Sequence, residues 1–135
     1  MVKAISEAEW DIMRVVWTCG PVTVDQVACE VEDRHDWQLA TIKTLLGRLV
    51  KKNMLETKRN GRKYIYSAKI TEEEATQEMA DEFADKICNR QKAAAILELI
   101  KQSQLTNDDL NMINSLLAEK KTCSQVKCNC VTDEN

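Results

Sequence analysis

Leu39-Ala40-Thr41-Ile42-Lys43-Thr44-Leu45-Leu46-Gly47-Arg48-Leu49-Val50-Lys51-Lys52 is the stretch on which the fold turns. Leu39, Ile42, Leu45, Leu46, Leu49 and Val50 recur at the spacing of one helical face. Burying that face leaves Ala40, Thr41, Lys43, Thr44, Gly47, Arg48 and Lys51 outward. Immediately afterwards the period changes. Leu55 to Lys58 and Lys63 to Ser67 read as two strands around Asn60-Gly61, a dipeptide that accepts the positive φ of a tight hairpin. Upstream, one helix is expected from Glu7 to Thr18, with Ala8, Ile12, Val15 and Val16 inward. Gly20-Pro21 ends it, and a second helix covers Val24 to Asp33. Helix, helix, helix, hairpin is the order of a winged helix-turn-helix.

Helix starts are legible throughout. Ser6-Glu7-Ala8-Glu9, Thr23-Val24-Asp25-Gln26 and Thr71-Glu72-Glu73-Glu74 are capping boxes, and Thr106-Asn107-Asp108-Asp109 is a shorter-armed version. After Thr71, Ala75, Met79, Phe83 and Ile87 recur every four residues. Two further helices are expected, from Gln91 to Gln102 and from Asn107 to Lys120. They carry too little apolar surface to form a core in one copy, a pattern that fits pairing with a second chain. A monomer that folds them back on the head is the alternative. The expected architecture is mainly α with a small β-hairpin. Residues 1–70 form a winged helix-turn-helix head, 71–120 a helical dimerisation domain and 121–135 a flexible cysteine tail.

Charge separates along this plan. Residues 41–69 hold nine basic side chains against Glu56 alone, inside a chain whose net charge is −3. A localised basic stretch in a mildly acidic protein points to a polyanion site. Thr41, Lys43, Thr44 and Arg48 would face the base edges of a major groove, which admits one helix. Small residues at Ala40 and Gly47 would let the backbone approach. Lys51 and Lys52 lie at the far end, where phosphate is the expected contact. Lys58, Arg59, Arg62 and Lys63 make a basic wing for the backbone or a minor groove.

Cys123, Cys128 and Cys130 form C-x4-C-x-C near the chain end. Thiolates are soft ligands suited to Cu(I) and also to Zn(II). The C-x-C step brings two sulfurs close without a folded scaffold, whereas C-x2-C would point more strongly to zinc. Zinc would need a further ligand: water, a carboxylate such as Asp133, or a partner's sulfur. Cys19, Cys29 and Cys88 fall in helical segments and are expected to be small buried hydrophobes, although Cys88 would reach a metal if the tail folds back. His35, the sole histidine, is expected at the surface among Asp33, Arg34 and Asp36. With one imidazole, no Cys–His or Ser–His–Asp set can be assembled, so an enzyme is not expected. No apolar run is long enough to span a bilayer, and Met1-Val2-Lys3-Ala4 begins no signal peptide. A cytosolic protein with reduced thiols is the expectation.

Trp37 to Lys52, with its Thr-aliphatic-basic-Thr-Leu-x-x-Arg-Leu run, resembles the third-helix signature of the penicillinase-repressor family. Ser6-Glu7-Ala8-Glu9-Trp10, Met13 and Trp17 look like its N-terminal motif. That family includes β-lactam-responsive and CopY-type copper repressors. The resemblance implies a homodimer on an inverted repeat containing TACA and TGTA, with Thr41, Lys43, Thr44 and Arg48 reading or anchoring it. Asn53 stands where a Gly is common and suits a positive-φ cap nearly as well. The CopY-type tail is C-x-C-x4-C-x-C. Lys121 occupies the place of its first Cys, and Cys123, Cys128 and Cys130 match the others. The resemblance therefore implies Cu(I) as inducer, with the resting tail either empty or holding Zn(II). A β-lactam-type repressor would be cut at an Asn-Phe pair, but the only Phe, Phe83, follows Glu82. A thiol metal buffer or redox protein remains a third reading, and it predicts no sequence-specific DNA binding.

Overall fold

The computed structural model describes residues 5–131. The N-terminal segment 1–4 and residues 132–135, Asp133 among them, lie outside it. The described chain runs α1 (Glu7–Cys19), α2 (Val24–Val31), α3 (Leu39–Lys51), β1 (Leu55–Asn60), β2 (Lys63–Ala68), α4 (Glu72–Lys86), a single 3-10 turn (Asn89–Gln91), α5 (Lys92–Gln102) and α6 (Asn107–Glu119). Two compact units divide it, one ending at Glu82 and one starting at Phe83, so α4 begins in the first and ends in the second. No described helix is long and apolar enough to cross a membrane.

The head is built around the apolar ribs of its three helices. Ile12, Met13 and Val16 of α1, Val27 and Val31 of α2, and Ile42, Leu45, Leu46 and Leu49 of α3 are all buried, with Met54, Leu55 and Ile70 closing the cluster. Leu39, expected on that face, is 47% exposed as the first residue of α3. Ala75 of α4 is also buried in this core.

Capping chemistry starts the helices where expected. Thr23 and Gln26 form a full reciprocal box, as do Thr106 and Asp109. The Ser6 hydroxyl accepts the Glu9 amide, but the carboxylate of Glu9 has another use. It accepts from Lys52 Nζ at 2.9 and 2.8 Å. The expectation that Lys52 meets phosphate is corrected here: its ammonium is committed to a carboxylate only 2% exposed. A buried charge demands a partner, and Lys52 ties the end of α3 to the start of α1. Asn53 then takes the left-handed conformation, φ 61°, and turns the chain into β1.

The hairpin pairs antiparallel with Leu55 opposite Ala68 and Asn60 opposite Lys63. Its loop is therefore Gly61-Arg62, one residue later than expected. Gly61, at φ 67°, occupies the first loop position, where a type II′ turn needs glycine. A third strand-like contact escaped the pattern. Val22 and Tyr66 exchange backbone bonds of 2.9 and 2.8 Å, anchoring the wing to the loop before α2. Trp17 Nε1–H donates to the Ile70 carbonyl at 3.0 Å and fixes the chain as it leaves the hairpin.

Two further expectations are corrected. Cys19 and Cys29 are exposed: Val27 and Val31 take the inward stripe of α2, and Cys19 is the last residue of α1. His35 is half-buried, 2.7 Å from Asp11 and stacked on Trp37 with ring centroids 3.8 Å apart.

Replacing Lys52 by Met should leave the buried Glu9 carboxylate without its cation, with the Ser6 hydroxyl still donating to it. Losing one member of a buried pair costs about 3–5 kcal/mol. Lys52 keeps 21% of its side chain in solvent, so about 2 kcal/mol is expected in urea unfolding. Adding Glu9→Gln to the same chain should restore part of that loss.

Candidate nucleic-acid interface and thiol cluster

The inward rib of α3 dictates what points out. Thr41, Lys43, Thr44, Arg48 and Lys51 are all exposed on one helix. The Thr44 hydroxyl donates to the Ala40 carbonyl at 3.0 Å, which leaves its methyl as the group offered outward. A Cβ placed on Gly47 would meet nothing within 4 Å, so this face is open to close backbone approach. Lys58, Arg59, Arg62 and Lys63 are exposed on the hairpin. Arg59 Nε–H donates to the Gly61 carbonyl at 3.0 Å, laying its side chain over the turn.

Helix and wing come together in space. Lys43 of α3 and Arg62 and Lys63 of the hairpin line one cleft of about 450 Å³, with Thr23, Asp25, Leu39 and Tyr64. Leu39 and Tyr64 are exposed there, at 47% and 50%. They add apolar surface that charge counting missed. Among the described residues, the ion pairs are His35–Asp11 and Lys52–Glu9, so none of the seven outward cations of α3 and the hairpin is neutralised. Such a surface offers charge-assisted donors at the reach of a duplex backbone.

The second unit contains a different chemistry. The sulfurs of Cys88, Cys128 and Cys130 lie within 4.8 Å of one another. Cys88 and Cys128 are 3.4 Å apart. The tail, residues 120–131, has no helix or strand, yet it is seated on the corner after α4. The Asn89 amide donates to Asn129 Oδ1 at 2.7 Å, and Arg90 Nε–H to the Val126 carbonyl at 3.4 Å. Of the three tail cysteines singled out by spacing, the structure brings Cys128 and Cys130 together. Cys123 is exposed and stands outside the group.

Donor chemistry and spacing fit a soft ion. Three thiolates about 2.3 Å from a zinc-sized centre stand about 4 Å apart. The cluster also separates the acidities of its members. The Arg90 backbone N–H, then the thiols of Cys130 and Cys128, stabilise the Cys88 thiolate and lower it to about 7. Cys130 is raised to about 12, held protonated first by its bond to Cys128 and then by Cys88. One negative charge is therefore accommodated and the next resisted unless a cation enters.

Residues 5–119 match the penicillinase repressor family. The chain belongs to that family. Its members are DNA-binding transcriptional repressors. The penicillinase repressor of Bacillus licheniformis is 28% identical over 89% of this chain and 94% of its own. An uncharacterised 16.5 kDa protein encoded in the ptsI 3′ region of Latilactobacillus sakei is 34% identical, covering 96% of this chain and 90% of that one. Among solved structures, the Bacillus licheniformis BlaI monomer in complex with the blaP half-operator shares 32% identity over 55% of this chain and 90% of its own, with a TM-score of 0.48. A CopR repressor structure shares 46% identity over 50% of this chain and 99% of its own, with a TM-score of 0.44.

In the reduced, metal-free protein at pH 7.5, iodoacetamide should label Cys88 at least tenfold faster than Cys130. The thiolate fractions differ by orders of magnitude, and the higher nucleophilicity of the more basic thiol takes back about half of that on a logarithmic scale. The Cys88 rate should fall as pH drops through 7, because its lowered acidity places protonation there. Peptide mass mapping across pH 6 to 9 reads both.

Proposed function

We propose that this family member is a copper-responsive repressor. It binds an inverted-repeat operator as a homodimer and lets go when Cu(I) is held by its C-terminal thiols. The observation that carries the reading is the group of three thiols at Cys88, Cys128 and Cys130, in a chain whose head exposes a basic helix and wing. Soft thiolates without imidazole or carboxylate among them suit Cu(I).

On DNA, the first contribution comes from phosphate. Lys51 and the wing cations Lys58, Arg59, Arg62 and Lys63 neutralise backbone charge, each contact adding about 0.9 to the log–log salt slope. Sequence is then read by α3. Arg48 and Lys43 donate to guanine O6 and N7, and Thr41 and Thr44 present methyls to thymine. The TACA and TGTA repeats of the family would place those thymines and guanines along the groove.

The homodimer follows from surface that one copy leaves unpaired. Ile96, Leu97 and Leu99 of α5 and Leu110, Met112, Leu116 and Leu117 of α6 are all exposed. So many exposed apolar side chains on two successive helices are the mark of an interface. Pairing through α5 and α6 would give the two heads a fixed separation, which a two-fold operator requires.

Release is then a matter of linkage. The chain must favour a different arrangement when its thiols are loaded, and the coupling is reciprocal. About 3 kcal/mol of coupling lowers operator affinity roughly 150-fold. The thiols contribute by closing around one soft cation. The head contributes by losing its two-site grip when the spacing changes. With Zn(II), or with no metal, the spacing suits DNA.

The test is an operator titration by fluorescence anisotropy with Cu(I), Zn(II) or neither, on a duplex carrying the inverted repeat. Copper should weaken binding by about two orders of magnitude. Equal affinity with copper saturating the protein would defeat the proposal. A chain with Cys123, Cys128 and Cys130 all changed to Ser should bind the operator normally and ignore copper. Arg48→Ala should cost about 1–3 kcal/mol on the operator. Lys58→Ala should instead lower the salt slope by about 0.9 for each head.

A further inference from the structure

Two places could supply the third sulfur beside the Cys128-Asn129-Cys130 pair. Cys123 is nearest in sequence, five positions before Cys128, and the spacing alone favours it. Cys88 is 40 positions away, and the sequence admits it only if the tail folds back. The structure favours the distant one. Cys88, Cys128 and Cys130 share one small volume, and Cys123 stands outside it. This does not rest on sulfur proximity alone. The backbone of Asn89 and the side chain of Arg90 both hold the tail, through Asn129 and Val126. Those bonds join residues next to Cys88 to residues next to Cys128 and involve no thiol. The Cys130 amide also donates to Cys128 Sγ at 3.4 Å, folding the C-x-C step so that both sulfurs turn the same way.

On the reading of this chain as a copper-responsive repressor, we propose that Cys88 is the third ligand. The metal site is Cys88, Cys128 and Cys130, and Cys123 is not part of it. On binding Cu(I), those of the three thiols still protonated release their protons to solvent, and three sulfur–copper bonds form. The copper stays in its +1 state, so no oxidant or reductant is needed.

The difference between the two sets is mechanical. A site made of Cys123, Cys128 and Cys130 would lie wholly within the tail and could be occupied without touching the folded body. A site that includes Cys88 joins the tail to the corner just beyond α4, which ends at Lys86. It closes a loop containing all of α5 and α6, the helices that expose the apolar surface. Occupancy then restrains the helices that pair two chains. The same restraint reaches the end of α4, whose residue Ala75 is buried in the core of the head. A sensor needs a ligand that stabilises one arrangement over another. A tail-only site has no such handle.

The experiment uses the full chain, kept anaerobic and reduced with a phosphine, with one equivalent of Cu(I) per chain. An iodoacetamide pulse followed by peptide mass mapping reads each cysteine. Cys88, Cys128 and Cys130 should be shielded about tenfold or more, since loss of even an outer partner costs 10–100-fold in affinity. Cys123 should react at its metal-free rate, and a copper chelator should restore the others. In competition with bicinchoninate, Cys88→Ser should lose about tenfold or more in Cu(I) affinity, while Cys123→Ser should match the parent. Circular dichroism checks that both variants fold. The shielding pattern of the parent stands by itself if Cys88→Ser does not.

Cys123 shielded with Cys88 open overturns the proposal, as does shielding at Cys88 that survives copper removal, which would mean a disulfide. Operator affinity of the same samples separates the two levels. If Cys88 is open and copper still releases DNA, the ligand assignment fails and the copper-responsive reading stands. If Cys88 is shielded and operator affinity does not change, the assignment stands and the copper-responsive reading fails.

Discussion

Everything in the head depends on the rotation of α3 about its own axis. Ile42, Leu46 and Leu49 are fully buried and Leu45 nearly so. Each such side chain contributes about 1.5–3 kcal/mol by leaving water. Turning the helix by one residue would expose part of that rib and push Lys43 or Arg48 into the core. The alternative is therefore too costly to populate, and the outward set of Thr41, Lys43, Thr44 and Arg48 is a consequence of packing. Function is written on the back of a hydrophobic constraint. The wing is placed by a second constraint, the Val22–Tyr66 backbone exchange. It holds β2 against the loop before α2 and so brings Arg62 and Lys63 into the same cleft as Lys43.

What was legible in the sequence was whatever depends on neighbours a few residues apart. Helical periods, cap residues and the change of period at Leu55 all act within a turn or a strand, and the elements fall within one to two residues of expectation. The hairpin loop shifted by one residue because Asn60-Gly61 and Gly61-Arg62 both satisfy the need for a glycine at positive φ. Only pairing across the ladder decides between them, and the pairing of Asn60 with Lys63 does so. Asn53 was readable for the same local reason: a helix end needs a left-handed residue, and Asn tolerates it.

What was not legible depends on long-range geometry. Glu9 looked like one half of a capping box and Lys52 like a phosphate contact, since each role satisfies its local surroundings. Their union spans 43 positions and appears only when α1 and α3 are packed. The exposed Cys29 shows the converse limit. A small, weakly polar residue within a helix is inward more often than not, but α2 is only eight residues long. A helix that short has one apolar stripe, and Val27 and Val31 already fill it. Charge counting located the basic face but could not see Leu39 or Tyr64 in it, because exposed apolar residues carry no charge signature.

The thiol cluster joins both kinds of reading. Local spacing marks Cys128 and Cys130 as candidate soft ligands without reference to any fold. A two-sulfur site is incomplete, and the remaining ligand is a question about where the chain goes next. Placing it in the tail makes sensing a property of a peptide. Placing it at Cys88 makes sensing a property of the fold, since the ends of the loop that holds α5 and α6 are then pulled to one point. Cys88 itself is lowered to about 7, chiefly by the Arg90 backbone amide. That amide belongs to the folded corner after α4, so it tunes Cys88 only while the corner is formed.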